Sequence, residues 1–278
     1  MFGFDAILAL AGRAAHLEAV RQQCVNPTMD TGQPTDRLAQ YLRQVQDTTA
    51  RSIAIRPYDD ATPTDTPHAS LELGPGVRTI EIRFRPINVL ANPTTERQVA
   101  HELTHALMIY SQGYQIPCAP ADVSQYDVQT VAEIVDLVDD VIVDVTIHRR
   151  GFTQPSRDGI DRYTSMASVL LQASSRAQID PYEDDPVRAE ISLVKDYIYA
   201  WALPRFVDFP QDARDVFAAY VRRYPQVMKA EFEKAKQIKK LMMANDIFTL
   251  EGRTCVVVGA TDLWPVNPRV YLATIAAA

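Results

Sequence analysis

The sequence predicts an α+β protein that is predominantly helical and carries a small, mostly antiparallel sheet. Residues 77–85 alternate between apolar and charged or polar side chains, which is the period of a half-buried strand. Beyond residue 92, apolar residues recur mainly at helical spacing, with Gly and Pro between the segments. The chain has 278 residues, 47% of them hydrophobic, which is enough to bury a core in one large domain or two small ones.

The N-terminal part is predicted to contain two helices and three strands. The helices cover 5–23 and 34–50, and a first strand covers 51–56. A β-hairpin then pairs 69–73 with 77–85 across Gly74-Pro75-Gly76.

A helix is predicted to start near residue 93 and to run to about Ser111. Pro93 suits its first turn, and Thr95 and Gln98 have the spacing of a capping box. A second, long helix is predicted over 122–150.

The rest of the chain is predicted to be a helical C-terminal half. Its expected helices cover 159–178, 186–202, 210–222 and 224–245, and a last strand covers 254–258. We therefore expect two parts, an α+β core over residues 1–150 and a helical subdomain over 151–278.

The charge balance and the termini narrow the class of function. The net charge is −7, which disfavours nucleic acid because binding a phosphate backbone needs cations. No segment is apolar over the length of a membrane span, and the start of the chain lacks the basic region of a signal peptide. Three cysteines far apart in the sequence are typical of free thiols in a reducing compartment. Together these features lead us to expect a cytoplasmic protein without nucleic-acid or membrane partners.

The most specific motif is His-Glu-Leu-Thr-His at residues 101–105. On a helix, His101 and His105 lie about 40° apart and one turn from each other, so both rings can bind one metal ion. Zinc accepts such nitrogen ligands and leaves a position for water. Glu102 lies close enough to take a proton from water that the metal activates. The alternative is a helix with two satisfied histidines, but its many apolar neighbours predict a buried helix, in which histidines need partners.

The motif resembles that of the zincin metallopeptidases over residues 99–107. The metzincin extension needs glycine at 108 and histidine at 111, and this chain has Met108 and Ser111. The resemblance therefore points to the gluzincins, whose third zinc ligand is an acid on a following helix.

The predicted helix 122–150 supplies candidates for that acid. It is apolar almost all round, yet five of its polar residues fall within an arc of about 80°. They are Gln129, Glu133, Asp136, Asp140 and Asp144. If this helix is buried, the acidic stripe must face a cation or hydrogen-bond donors. The alternative is that the stripe is a solvated face, with Asp139 and Asp144 exposed.

Glu133 is the first choice for the third ligand. Its place 28 residues after His105 is similar to the spacing in compact ImmA/IrrE-type peptidases, which also implies that strand 77–85 lies beside the active-site helix. Gluzincins often carry an aspartate four residues after the ligand, where this chain has Leu137. Asp140 and Asp136 therefore stay open as alternatives.

The sequence thus predicts a zinc-dependent metallopeptidase that acts on a protein or peptide substrate, with Glu102 as general base. An alternative is a metal-binding regulatory protein of the same fold that acts on one dedicated partner, and a further one is a metal-free interaction protein. Strand 79–85 is a candidate edge for binding a substrate backbone. The candidates for stabilising an oxyanion are Tyr163, Tyr197, Tyr199 and His148.

Overall fold

The computed structural model shows a mainly helical α+β protein with two small sheets. It describes residues 34–57, 69–72, 79–84, 93–152, 157–173 and 185–274. Several predicted features lie outside these ranges: the helix over 5–23, the turn at Gly74-Pro75-Gly76, and Cys24. The chain divides into two compact units, Met1–Val128 with Pro268–Ala278, and Gln129–Asn267. The sequence places its division later, at residue 150.

The first unit combines helices and both sheets. Its described elements are α1 (Asp36–Thr49), β1 (Ser52–Pro57), β2 (Ala69–Glu72), β3 (Thr79–Phe84), α2 (Pro93–Ser111), β4 (Gln115–Cys118) and β5 (Tyr271–Thr274). The helices agree with the predicted 34–50 and 93–111 segments, apart from one or two residues at the ends.

The second unit is helical in its described part. It begins within α3 (Gln125–Arg149) and continues through α4 (Arg157–Gln172), α5 (Pro186–Phe206), α6 (Gln211–Val227), α7 (Lys229–Ala244) and α8 (Leu250–Thr261). None of the helices in the described ranges has both the length and the hydropathy that crossing a bilayer requires.

Strand β3 is the centre of a three-stranded sheet, in the order β1-β3-β2. It pairs with β2 antiparallel, as the predicted hairpin requires, and with β1 parallel. The prediction of 79–85 as a free edge is therefore wrong. An alternating pattern indicates two faces but not how many neighbours a strand has. Ile80 and Ile82 are fully buried, and β2 and β3 contact α2, as the resemblance implied.

The second sheet was not predicted. Strand β4 pairs antiparallel with β5, which lies about 150 residues further along the chain. Pro117 in the middle of β4 lacks an amide N–H, and the sequence around it predicts a loop. Only the distant partner strand reveals that this segment is extended.

The strand predicted over 254–258 is wrong, because these residues lie in helix α8. The Thr249 hydroxyl caps this helix by accepting the N–H of Gly252 at 3.1 Å. A Cβ at Gly252 would collide with the backbone carbonyl of Asp246, so the helix start requires glycine here. The β-branched run at 254–258 favours a strand. Burial of one helical face overrides that preference: the buried positions are Gly252, Arg253, Val256, Val257 and Ala260.

Helix α2 is held in place by α1. The buried Tyr41 hydroxyl lies 2.7 Å from the Thr104 hydroxyl, and the Thr35 hydroxyl donates to the Glu96 carboxylate. The predicted capping box is not formed: the helix already starts at Pro93, and the buried Thr95 hydroxyl has no hydrogen-bond partner among the described residues. Contacts with Thr35 and α1 thus hold α2 near its start and at its middle.

A buried ion pair joins α3 to α8. Arg253, fully buried, donates from Nε and Nη2 to the two carboxylate oxygens of Asp139 at 2.8 and 2.7 Å. Asp139 and Asp144 are both buried, so the reading of these residues as a solvated face is wrong. Two parallel charged hydrogen bonds fix both the position and the rotation of α3 at Asp139.

We expect Arg253→Met to lower the free energy of unfolding by about 3–5 kcal/mol, because it leaves the Asp139 carboxylate buried without its cation. Urea denaturation measures this change. Arg269→Met is the control, since Arg269 makes an equally bidentate pair with Asp122 on the exposed surface. If both variants lose the same stability, the buried pair is not what fixes α3.

Candidate metal centre

His101 and His105 lie on one face of α2 with their rings turned toward each other. The two Nε2 atoms are 3.1 Å apart, and the ring planes meet at 62° with centroids 4.8 Å apart. Both side chains are half-buried, whereas Leu103, Thr104 and Ala106 between and beside them are buried. The helix thus directs its apolar residues into the core and the two imidazoles together toward one point.

The separation of the two nitrogens fits a metal. Tetrahedral zinc with Zn–N bonds of about 2.0–2.1 Å holds two ligand nitrogens about 3.3 Å apart. The observed 3.1 Å is close to that value. Without a metal, one imidazole N–H can donate to the other ring, which also accounts for the distance.

A carboxylate joins the two histidines. Among the described residues, one ligand atom each of His101, His105 and Asp140 lies within 4.8 Å of the other two. These three residues are therefore positioned to bind a metal ion. Asp140 is one of the two alternatives that the sequence left open for the third ligand.

Glu133 and Asp136 are not members of that group. Glu133 lies seven residues before Asp140, which separates the two by roughly 10 Å along the helix axis. Its carboxylate accepts the Nε–H of Arg188 at 2.7 Å, and Arg188 Nη2 lies 2.5 Å from the same oxygen. The negative charge of Glu133 is thus already paired with Arg188.

Asp140 also pairs with a cation of the protein, but this pairing leaves one carboxylate oxygen available to a metal. Lys195 Nζ lies 2.7 Å from Asp140 Oδ2. A carboxylate has two oxygens with several lone pairs, so a lysine on one oxygen is compatible with a metal on the other. The lysine would then orient the ligand, as outer hydrogen bonds to ligating carboxylates do.

The pKa of Lys195 is raised by its acidic neighbours. Burial alone would lower the pKa of Lys195, but Asp140, Asp136 and Asp196 surround it, and their combined charge raises the pKa. Sequence inspection missed this lysine and Arg188. The sequence does contain a pattern that could have indicated both cations. Arg188 and Lys195 are seven residues apart, as are Glu133 and Asp140. Two helices that run parallel can therefore pair Arg188 with Glu133 and Lys195 with Asp140.

Glu102 is half-buried and follows His101 directly. One residue corresponds to about 100° around a helix, so Glu102 flanks the face that carries the two histidines. Its carboxylate is therefore carried on the helix beside the two imidazoles.

The candidates for oxyanion stabilisation lie mostly in aromatic packing of the second unit. Tyr163 is buried and stacks on Tyr199 with ring centroids 5.8 Å apart. Tyr197 is buried against Tyr224, and His148 lies 6.1 Å from the Phe209 ring. These contacts place the four rings in aromatic clusters and assign none of them to the metal group.

Comparisons with protein-family models, with curated proteins and with solved structures give no match.

We expect Asp140→Asn to weaken zinc binding by at least about 100-fold. Loss of a direct ligand should cost at least as much as the largest losses caused by changing a residue that only hydrogen-bonds to a ligand. Glu133→Gln, a matched change on the same helix, should alter the affinity only a few-fold because its carboxylate is engaged by Arg188. Competition of each variant with a chromogenic zinc chelator measures both constants. If Glu133→Gln shows the larger loss, Glu133 and not Asp140 is the ligand.

Proposed function

We propose that this protein is a zinc-dependent metallopeptidase, with His101, His105 and Asp140 as metal ligands and Glu102 as general base. The observation that supports this best is the convergence of two imidazoles, 3.1 Å apart, with one carboxylate. Two histidines and an aspartate fill three positions of a tetrahedral site. That arrangement leaves a fourth position for water or substrate, as hydrolytic zinc sites do.

The residues divide the chemistry between them. A zinc ion at the group would supply Lewis acidity, which polarises the substrate carbonyl and makes water more acidic. Glu102 accepts a proton from the attacking water and later donates it to the nitrogen of the leaving amine. This exchange returns Glu102 to its starting form, so one carboxylate serves in both steps.

The surroundings of Asp140 support the same role. Lys195 holds Oδ2 of the carboxylate, and the neighbouring Asp139 is locked by Arg253. A ligand that approaches a metal in a fixed orientation loses little conformational entropy on binding it. Asp140 is thus preorganised by contacts within its own unit.

We expect the purified protein to contain about one equivalent of zinc, and Glu102→Gln to retain it while peptide hydrolysis falls by about 10²–10⁴-fold. Loss of a general base removes proton transfer but leaves the ligands intact. Zinc is measured by mass spectrometry, and hydrolysis is measured on a mixed peptide library. Glu133→Gln is the control and should keep its activity.

Two outcomes would contradict the proposal. A protein purified without chelators that carries less than about half an equivalent of any divalent metal would point to a metal-free interaction protein. Hydrolysis that survives Glu102→Gln unchanged would show that another residue activates water.

A further inference from the structure

Two cations lie against one tryptophan in the second unit. On α5, the Arg205 guanidinium carbon lies 4.6 Å from the centroid of the Trp201 ring. On α7, Lys239 Nζ lies 5.0 Å from the same centroid and 5.7 Å from that of Tyr197. The Tyr197 hydroxyl is 3.5 Å from Lys239 Nζ. Three donor groups therefore surround one aromatic platform.

Lys239 differs from the other half-buried lysines of the described ranges. Lys195 has Asp140 at 2.7 Å and Lys234 has Glu190 at 2.5 Å, so each faces a carboxylate. Lys239 has neither an aspartate nor a glutamate within ion-pair distance in the described part of the chain, and its charged neighbour is Arg205. Like charges near one ring repel each other, and a bound anion would relieve that repulsion.

The electrostatics agree with that geometry. Burial, followed by the charge of Arg205, lowers the pKa of Lys239. Burial raises the pKa of Tyr197, and Arg205 opposes that effect. Arg205 thus acts electrostatically on both other donors, and it shares the Trp201 ring with Lys239.

We propose that Arg205, Lys239 and the Tyr197 hydroxyl form a binding site for a phosphate-type dianion. Two protein cations match the charge of hydrogen phosphate at neutral pH. The planar guanidinium donates two parallel hydrogen bonds to a phosphoryl group, and lysine adds a point charge. Arg205 is exposed and Lys239 half-buried, so a ligand reaches these two cations from solvent, while the hydroxyl of the buried Tyr197 contacts Lys239.

This site is separate from the metal group. At 100° per residue, Tyr197, Trp201 and Arg205 lie about 160°, 120° and 80° around α5 from Lys195, which contacts Asp140. The proposal therefore stands whether or not the metal group is catalytic. A site on another face of α5 suits a phosphate-bearing effector, not the scissile peptide.

Isothermal titration of the full-length protein with inorganic phosphate, at constant ionic strength and against chloride, tests the proposal. We expect saturable 1:1 binding to the site, weakened at least tenfold by Arg205→Gln and by Lys239→Gln. That loss corresponds to about 1.4 kcal/mol, within the range of one charged hydrogen bond. Lys240→Gln, the exposed neighbour on α7, is the matched control and should bind as the unaltered protein does.

Phenyl phosphate is titrated in parallel to distinguish the free ion from a phosphate monoester. Comparable or tighter binding of the ester indicates a phosphorylated ligand, and tighter binding of the free ion indicates phosphate itself; both support the site. Because Arg205 is exposed, its variant should fold, and circular dichroism checks this. Absence of saturable binding, or equal affinity in Arg205→Gln and the unaltered protein, would overturn the proposal.

Discussion

Carboxylates on a helix that is apolar on most sides must meet cations, and this requirement organises the second unit. Glu133 meets Arg188, Asp139 meets Arg253, and Asp140 meets Lys195. The three pairs connect α3 with α5 and with α8, so they fix how the helix is turned. Breaking the buried Asp139–Arg253 pair leaves a charge in an apolar setting, which costs more than the pair itself contributes.

The histidine pair could be predicted from the sequence because it depends only on the geometry of one helix. Residues four apart on an apolar helix share a face, and the structure brings the two Nε2 atoms to 3.1 Å. The third ligand could not be selected in the same way. Glu133, Asp136 and Asp140 share one stripe, and only the three-dimensional placement of their carboxylates distinguishes them. Sequence spacing to His105 favoured Glu133, whereas the group with the histidines contains Asp140.

The limits of the fold prediction have the same origin. Helix α2 and strand β3 were found because their patterns are local. Helix α8 was mistaken for a strand because its β-branched residues mask a buried helical face that includes Arg253. Strands β4 and β5 pair across about 150 residues, and nothing near Pro117 indicates a partner. Local periodicity thus predicts elements, while pairing over long distances stays hidden.

An anomalous difference map at the zinc absorption edge, from crystals of protein purified without added metal, tests the central claim most directly. The account predicts one peak at bonding distance, about 2.0–2.2 Å, from an imidazole nitrogen of His101, one of His105 and a carboxylate oxygen of Asp140. No peak between the two imidazoles, or a peak bound by Glu133 in place of Asp140, would contradict it.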